Sequence, residues 1–200
     1  MAGRDGVVGL LAGTGTFPEV IAEAIKGRGL TLVCLQVAGQ SSALPAIADH
    51  YRRVTPGALG EVLETLQAHR VREVLVAGRF PRADLLARGT ALRGAVMTLA
   101  VDRRDVPLFE RLAVLLAGLG IVLVDQTRFV GDLLAPTGVL TARSPTPDEA
   151  ADLAFGTTVA RQMSDLDVGQ TVVLSRGVIL AVEAAEGTDA TIRRGGAMAP

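Results

Sequence analysis

Three carboxylates, a threonine and two arginines crowd into the stretch from position 183 to 194: Glu183, Glu186, Thr188, Asp189, Arg193 and Arg194, with Gly187 among them. They follow the apolar run Val178-Ile179-Leu180-Ala181-Val182. Oxygen donors of this kind can hold a hard divalent cation, and guanidinium forks grip phosphate. The same residues also suit a strand end followed by a capped helix. In that reading Thr188 or Asp189 is the N-cap, and Arg193 and Arg194 are solvated helix charges.

Other loops offer weaker chemistry. Gly13-Thr14-Gly15-Thr16 follows an apolar run and precedes Pro18. Glycines let backbone N–H groups approach an anion, and a following helix adds partial positive charge. The same loop also reads as a tight strand–helix turn. It is not a dinucleotide fingerprint, because Pro18 stands where the third glycine belongs, and it lacks the Gly-Lys-Ser/Thr of a phosphate-binding P-loop. Gly78-Arg79 and Asp125-Gln126-Thr127-Arg128 are further loops after apolar runs, and Arg79 is a candidate phosphate contact. The charge run Asp102-Arg103-Arg104-Asp105 reads first as a solvated turn. His50 and His69 lie far from all these loops in sequence, and neither shows zinc-ligand spacing. Cys34 is the single cysteine. It sits in an apolar run, which reads as a small buried hydrophobe. No serine stands in a nucleophile-elbow context.

Something must position these loops. Val7–Ala12, Leu30–Val37 and Glu73–Ala77 read as strands buried on both faces, and Ile121–Val124 as a short fourth. Phe17–Lys26 has apolar residues at helical spacing, Pro18 in its first turn and Gly27 at its stop. Thr55-Pro56 opens a helix with Leu59, Val62, Leu63 and Leu66 on one face. Helical patterns return at Ala91–Val101 and Leu108–Leu119. This alternation predicts an α/β fold, a Rossmann-like parallel sheet over residues 1–131. Prolines and glycines at 132–145 mark a linker. A smaller α/β domain occupies 146–200. There Thr146-Pro147-Asp148-Glu149 forms a capping box for a helix to about Met163. Gln170–Leu174 and Gly177–Glu183 read as strands joined at Ser175-Arg176-Gly177. In an open parallel sheet, ligands gather where the strands end and the helices begin.

Composition narrows the function. Apolar residues are 49 % and charged residues 20 %, which suits a folded core. A net charge of −1 argues against a general nucleic-acid binder, and 3 % aromatic residues against single-strand stacking. The N-terminal apolar run is short and broken by glycines, so it reads as neither signal peptide nor membrane span. A cytosolic compartment is expected, with any membrane contact peripheral.

The segment Glu183-Ala184-Ala185-Glu186-Gly187-Thr188-Asp189, with Ile192-Arg193-Arg194 after it, closely resembles the UDP-2,3-diacylglucosamine pyrophosphatases of lipid A biosynthesis, of the LpxI type. Gly9–Pro18, Val76–Arg79 with Arg82-Ala83-Asp84, Leu134–Thr141 and Asp165–Gln170 are similar to the family's segments in the same order. The resemblance implies hydrolysis of UDP-2,3-diacylglucosamine to UMP and 2,3-diacylglucosamine 1-phosphate (lipid X), with Mg2+ as cofactor. It implies Glu186 and Asp189 as catalytic carboxylates and Glu183, Glu186 and Asp189 as metal ligands. Gly13, Thr14, Gly15, Gly78, Arg79, Gly187, Thr188, Arg193 and Arg194 would contact substrate. The lipid would lie between the domains, at the cytoplasmic face of the inner membrane, and a homodimer is among the allowed assemblies. Family members continue past the point where this chain stops, into a segment with an aspartate regarded as essential. The chain is therefore expected to be C-terminally truncated. The rival expectation is a non-catalytic nucleotide- or lipid-binding module.

Overall fold

Every residue of Val7–Ala12 (β1) except Gly9 has an apolar side chain, because this strand lies at the centre of a sheet and is covered on both faces. In this computed structural model, which describes residues 6–54, 58–80, 108–166 and 168–199, β1 pairs in parallel with Thr31–Gln36 (β2) on one side. Glu73–Ala77 (β4) lies on the other, so that Leu10 stands beside Cys34 and Leu75. His50–Arg53 (β3) and Val122–Leu123 (β5) complete a five-stranded parallel sheet in the order β3-β2-β1-β4-β5. The order reverses between β1 and β4, which places the topological switch point at the ends of those two strands.

Helices cover both faces. Ile21, Ala22 and Ile25 of Phe17–Gly27 (α1) pack on Val8, Leu10 and Leu32. Leu44 of the short helix Leu44–Ile47 (α2) joins them. Val62 and Leu66 of Leu59–Ala68 (α3) cover Leu11, Val33 and Val74 from the other side, and Leu116 of Leu108–Ala117 (α4) joins them. Thr127–Val130 (α5) returns to the α1 face with Phe129 and Val130, and a 3-10 turn follows at Gly131–Leu133. The expected strands and helices form with ends that differ by a residue or two. One strand escaped the sequence reading: β3 is His-Tyr-Arg-Arg, an edge strand whose outward residues stay in water. The helix expected over Ala91–Val101, and Thr55-Pro56, Arg82-Ala83-Asp84, Asp102–Asp105 and Asp167, lie outside the described residues.

The chain divides into two units, with the boundary between Ala135 and Pro136. In the second, Pro147–Asp165 (α6) starts at a complete capping box: Thr146 Oγ1 accepts from the Glu149 amide and the Glu149 carboxylate accepts from the Thr146 amide. Val172–Ser175 (β6) and Val178–Val182 (β7) form an antiparallel hairpin. Its turn residues, Arg176 and Gly177, have φ of +52° and +76°, as a two-residue primed turn requires. The Asp152 carboxylate on α6 accepts both turn amides, at 2.8 and 2.7 Å. Thr188–Met198 (α7) closes the unit. No helix among the described residues is long and apolar enough to cross a membrane.

Candidate functional site

At the switch point the two loops are zipped together. Gly13 N donates to Ala77 O (2.8 Å), Thr14 N to Arg79 O (2.8 Å), and Arg79 N to Thr14 O (2.9 Å). Such a close approach explains the residue types. A Cβ on Gly13 would run into the Arg79 carbonyl, and one on Gly78, at φ +93°, would stand 2.8 Å from Thr14 O and from Pro18 Cγ. The amides of Gly13 and Thr14 are therefore spent on the neighbouring loop and do not cradle an anion. Gly13 and Gly78 serve this loop-to-loop packing, whereas Gly15, at φ +96°, has open space around it.

The other loops on this edge are tied down locally. Buried Gln36 donates to Gly13 O (3.2 Å) and Ala38 O (2.8 Å), and so occupies the strand end where a nucleotide-binding carboxylate would stand. Gln126 donates to Val76 O at 2.6 Å. Asp125 accepts from the Thr127 hydroxyl (2.5 Å) and then the Thr127 amide (2.7 Å), which hold its carboxyl below the usual range.

In the second unit the structure joins the two family-specific segments. The Glu183 amide donates to Thr171 O at 2.9 Å, and the Gln170 amide to the Glu183 carboxylate at 3.3 Å. Gly169 fits only because it has no Cβ to meet the Glu183 carbonyl. Thr188 Oγ1 donates to Glu183 at 3.1 Å. Partial burial pushes the Glu183 carboxyl up, but hydrogen bonds from Thr171, the Gln170 amide and Thr188 outweigh it and hold the group below the carboxylate range. Thr171, absent from the expected site, could have been found as the residue that follows Asp-Val-Gly-Gln.

Glu186 is exposed but folds back on its own loop. Its Oε1 accepts from Arg194 Nη2 (2.6 Å) and Thr191 Oγ1 (3.3 Å), and its Oε2 from the Ala184 amide (3.2 Å). Its carboxyl is lowered first by its own backbone amide and then by the Arg194 guanidinium. Arg194 Nη2 also donates to Val182 O at 2.8 Å. Arg194 is thus a clamp across the β7–α7 loop, whereas the preceding residue, Arg193, is exposed and has no partner among the described residues. Gly187 sits at φ +84° as the N-cap of α7, one residue before Thr188 and two before Asp189, the two candidates of the capping reading. The first turn of α7 directs amides without intrahelical acceptors outward. Asp189 lies exposed within that turn.

As a three-carboxylate magnesium cage these residues do not fit. Glu183 and Glu186 accept from protein donors, and no group of three or more His, Cys, Asp or Glu among the described residues could hold a metal. The arrangement instead offers an anion a helix N-terminus with one free guanidinium nearby.

Comparison with known proteins places both units. Residues 7–133 match the family model "LpxI N-terminal domain" and residues 136–200 the model "LpxI C-terminal domain". The chain is 32% identical over 193 residues to the UDP-2,3-diacylglucosamine pyrophosphatase LpxI of Caulobacter vibrioides. The match covers 94% of this chain and 68% of that relative.

Proposed function

The chain belongs to the LpxI family, and from that premise we propose that it serves the hydrolysis of UDP-2,3-diacylglucosamine. Water attacks the α-phosphorus, the bond to the bridging oxygen breaks, and UMP and 2,3-diacylglucosamine 1-phosphate leave. The observation that supports this reading best is the ordered match to both family domains, together with the contact of Asp165–Gln170 with Glu183–Asp189 in the second unit.

In this proposal the first turn of α7 and Arg193 receive a phosphate, by helix charge and a guanidinium fork. Glu183, Glu186 and Arg194 hold the loop that presents them. Asp189 keeps its place as a proposed catalytic carboxylate. Magnesium stays in the proposal only as what the family resemblance implies; bound with substrate it would offset charge on the phosphoryl oxygens. Cytoplasmic placement, peripheral membrane contact and a homodimer belong to the same proposal.

The test is release of UMP from UDP-2,3-diacylglucosamine with magnesium or with chelator present. It is run on the 200-residue chain and on a chain continued in the same reading frame to a stop codon. Magnesium-dependent release by either form supports the activity, and release by the longer form alone places an essential group past position 200. If both forms bind UMP and neither releases it, the chain is a binding module and the hydrolytic reading fails.

A further inference from the structure

Two glutamates precede the N-terminus of α7, and the protein ties off both. Glu186 accepts from Arg194, Thr191 and the Ala184 amide. Glu183 accepts from Thr188 Oγ1 at 3.1 Å, from the Gln170 amide at 3.3 Å and from the Thr171 hydroxyl. The single hydroxyl proton of Thr171 stands between two acceptors, since Thr188 Oγ1 is 3.4 Å away. None of this is needed to join the two segments, because the Glu183 amide already donates to Thr171 O at 2.9 Å. What the hydroxyls add is a fixed direction for the carboxylate. We infer that Thr171 is a positioning residue: with Thr188 it holds the Glu183 carboxylate back from the α7 N-terminus, which stays open to a phosphate group.

The alternative position of Glu183 is a favourable one. A helix N-terminus attracts a carboxylate through its first-turn amides and its partial positive charge. Gly187, the N-cap, has no side chain to offer those amides. Thr188 is the first residue of α7, so a carboxylate bonded to its hydroxyl stands one change of rotamer from the helix end. Glu183 is ionised at neutral pH, because its carboxyl lies below the usual range. Released, it would occupy the place where a phosphate is received. Asp189 belongs to the first turn in native chain and variants alike, so its charge cancels from any comparison. The inference deepens the phosphate reading of this helix end and rests on it.

Thr171→Val keeps the β-branched shape and removes the hydroxyl. Amide exchange at Asp189 and Ala190, measured on the 200-residue chain, reads the helix end without any ligand. Thr171→Val is expected to slow that exchange by up to about fivefold, the factor that an N-cap interaction supplies. Adding Glu183→Gln should return it to the native rate, and Thr171→Ser should match the native chain. A purely structural Thr171 would give the opposite sign, faster exchange from a looser loop, and Glu183→Gln would not correct it. Unchanged or faster exchange in Thr171→Val overturns the inference. If Thr171→Val does not fold by far-UV circular dichroism, Thr188→Val carries the same test with the same two outcomes. UMP titration then tests the reading beneath it: binding should weaken in Thr171→Val and recover with Glu183→Gln. Exchange that follows the expected pattern while no chain binds UMP leaves the positioning role standing and refutes the phosphate site.

Discussion

Gly15 and Gly78 have nearly the same backbone, at φ +96° and +93°, but opposite surroundings: a Cβ on Gly15 meets nothing within 4 Å, whereas one on Gly78 meets Thr14 O and Pro18 Cγ at 2.8 Å. Substituting alanine at each therefore separates conformational strain from steric conflict. Strain alone costs about 1–2 kcal/mol, partly offset by about 0.4–1 kcal/mol from a stiffer unfolded chain. Gly15→Ala should lose about 1 kcal/mol on those figures. At Gly78 the loops must also part, and overpacking of this kind adds about 1–3 kcal/mol. With a urea slope of about 1–3 kcal/mol/M, the Gly78→Ala midpoint should fall below that of Gly15→Ala by on the order of 1 M. Tyr51 emission is the right assay, because it reports on the first unit alone. Gly13→Ala, without positive φ, should lose stability through the Arg79 carbonyl contact only. Equal midpoints for Gly15→Ala and Gly78→Ala would refute the zipped-loop account of this edge.

Further outcomes follow from the second unit. Arg194→Ala should loosen the 183–187 loop and speed amide exchange at Ala184, whereas Arg193→Ala should leave exchange unchanged and weaken UMP binding; the reverse pattern would return Arg194 to the phosphate. Asp152→Ala strips both turn amides of their acceptor and should destabilise the hairpin by about 1–3 kcal/mol, read as faster exchange at Arg176 and Gly177. The Glu149 carboxyl is held at about 2, against an ordinary 4.5, by the Arg143 guanidinium and then the Thr146 amide. Its depressed value means that the capping box supports α6 above pH 4.5 and loses that support as pH falls towards 2. Helical signal should fall across that window in the native chain and stay flat in Glu149→Gln, where the ion pair is already absent.

Parallel strands at the centre of a sheet must be apolar on both faces, so Val7–Ala12 and Glu73–Ala77 were legible from composition alone. Capping chemistry is equally local, and Thr146-Pro147-Asp148-Glu149 announced α6 within one turn. The family-specific segments were readable for the same reason: each is a short run whose residue types are unusual together.

Where the side chains point was not legible. β3 was missed because an edge strand keeps its outer residues polar, which erases the apolar signal. Neighbouring Arg193 and Arg194 are identical in type, and only the helix phase of α7 sends one to solvent and the other to Glu186 and Val182. Sequence therefore determined the central strands and the longer helices, the parallel α/β class and the family, because these rest on periodicity and local chemistry. Tertiary structure alone decided that the Gly13 and Thr14 amides are spent on a neighbouring loop, that Glu183 and Glu186 accept from the protein's own donors, and that two distant histidines touch. Each of those depends on which segments the sheet order and helix phase bring together, and separation along the chain does not encode it.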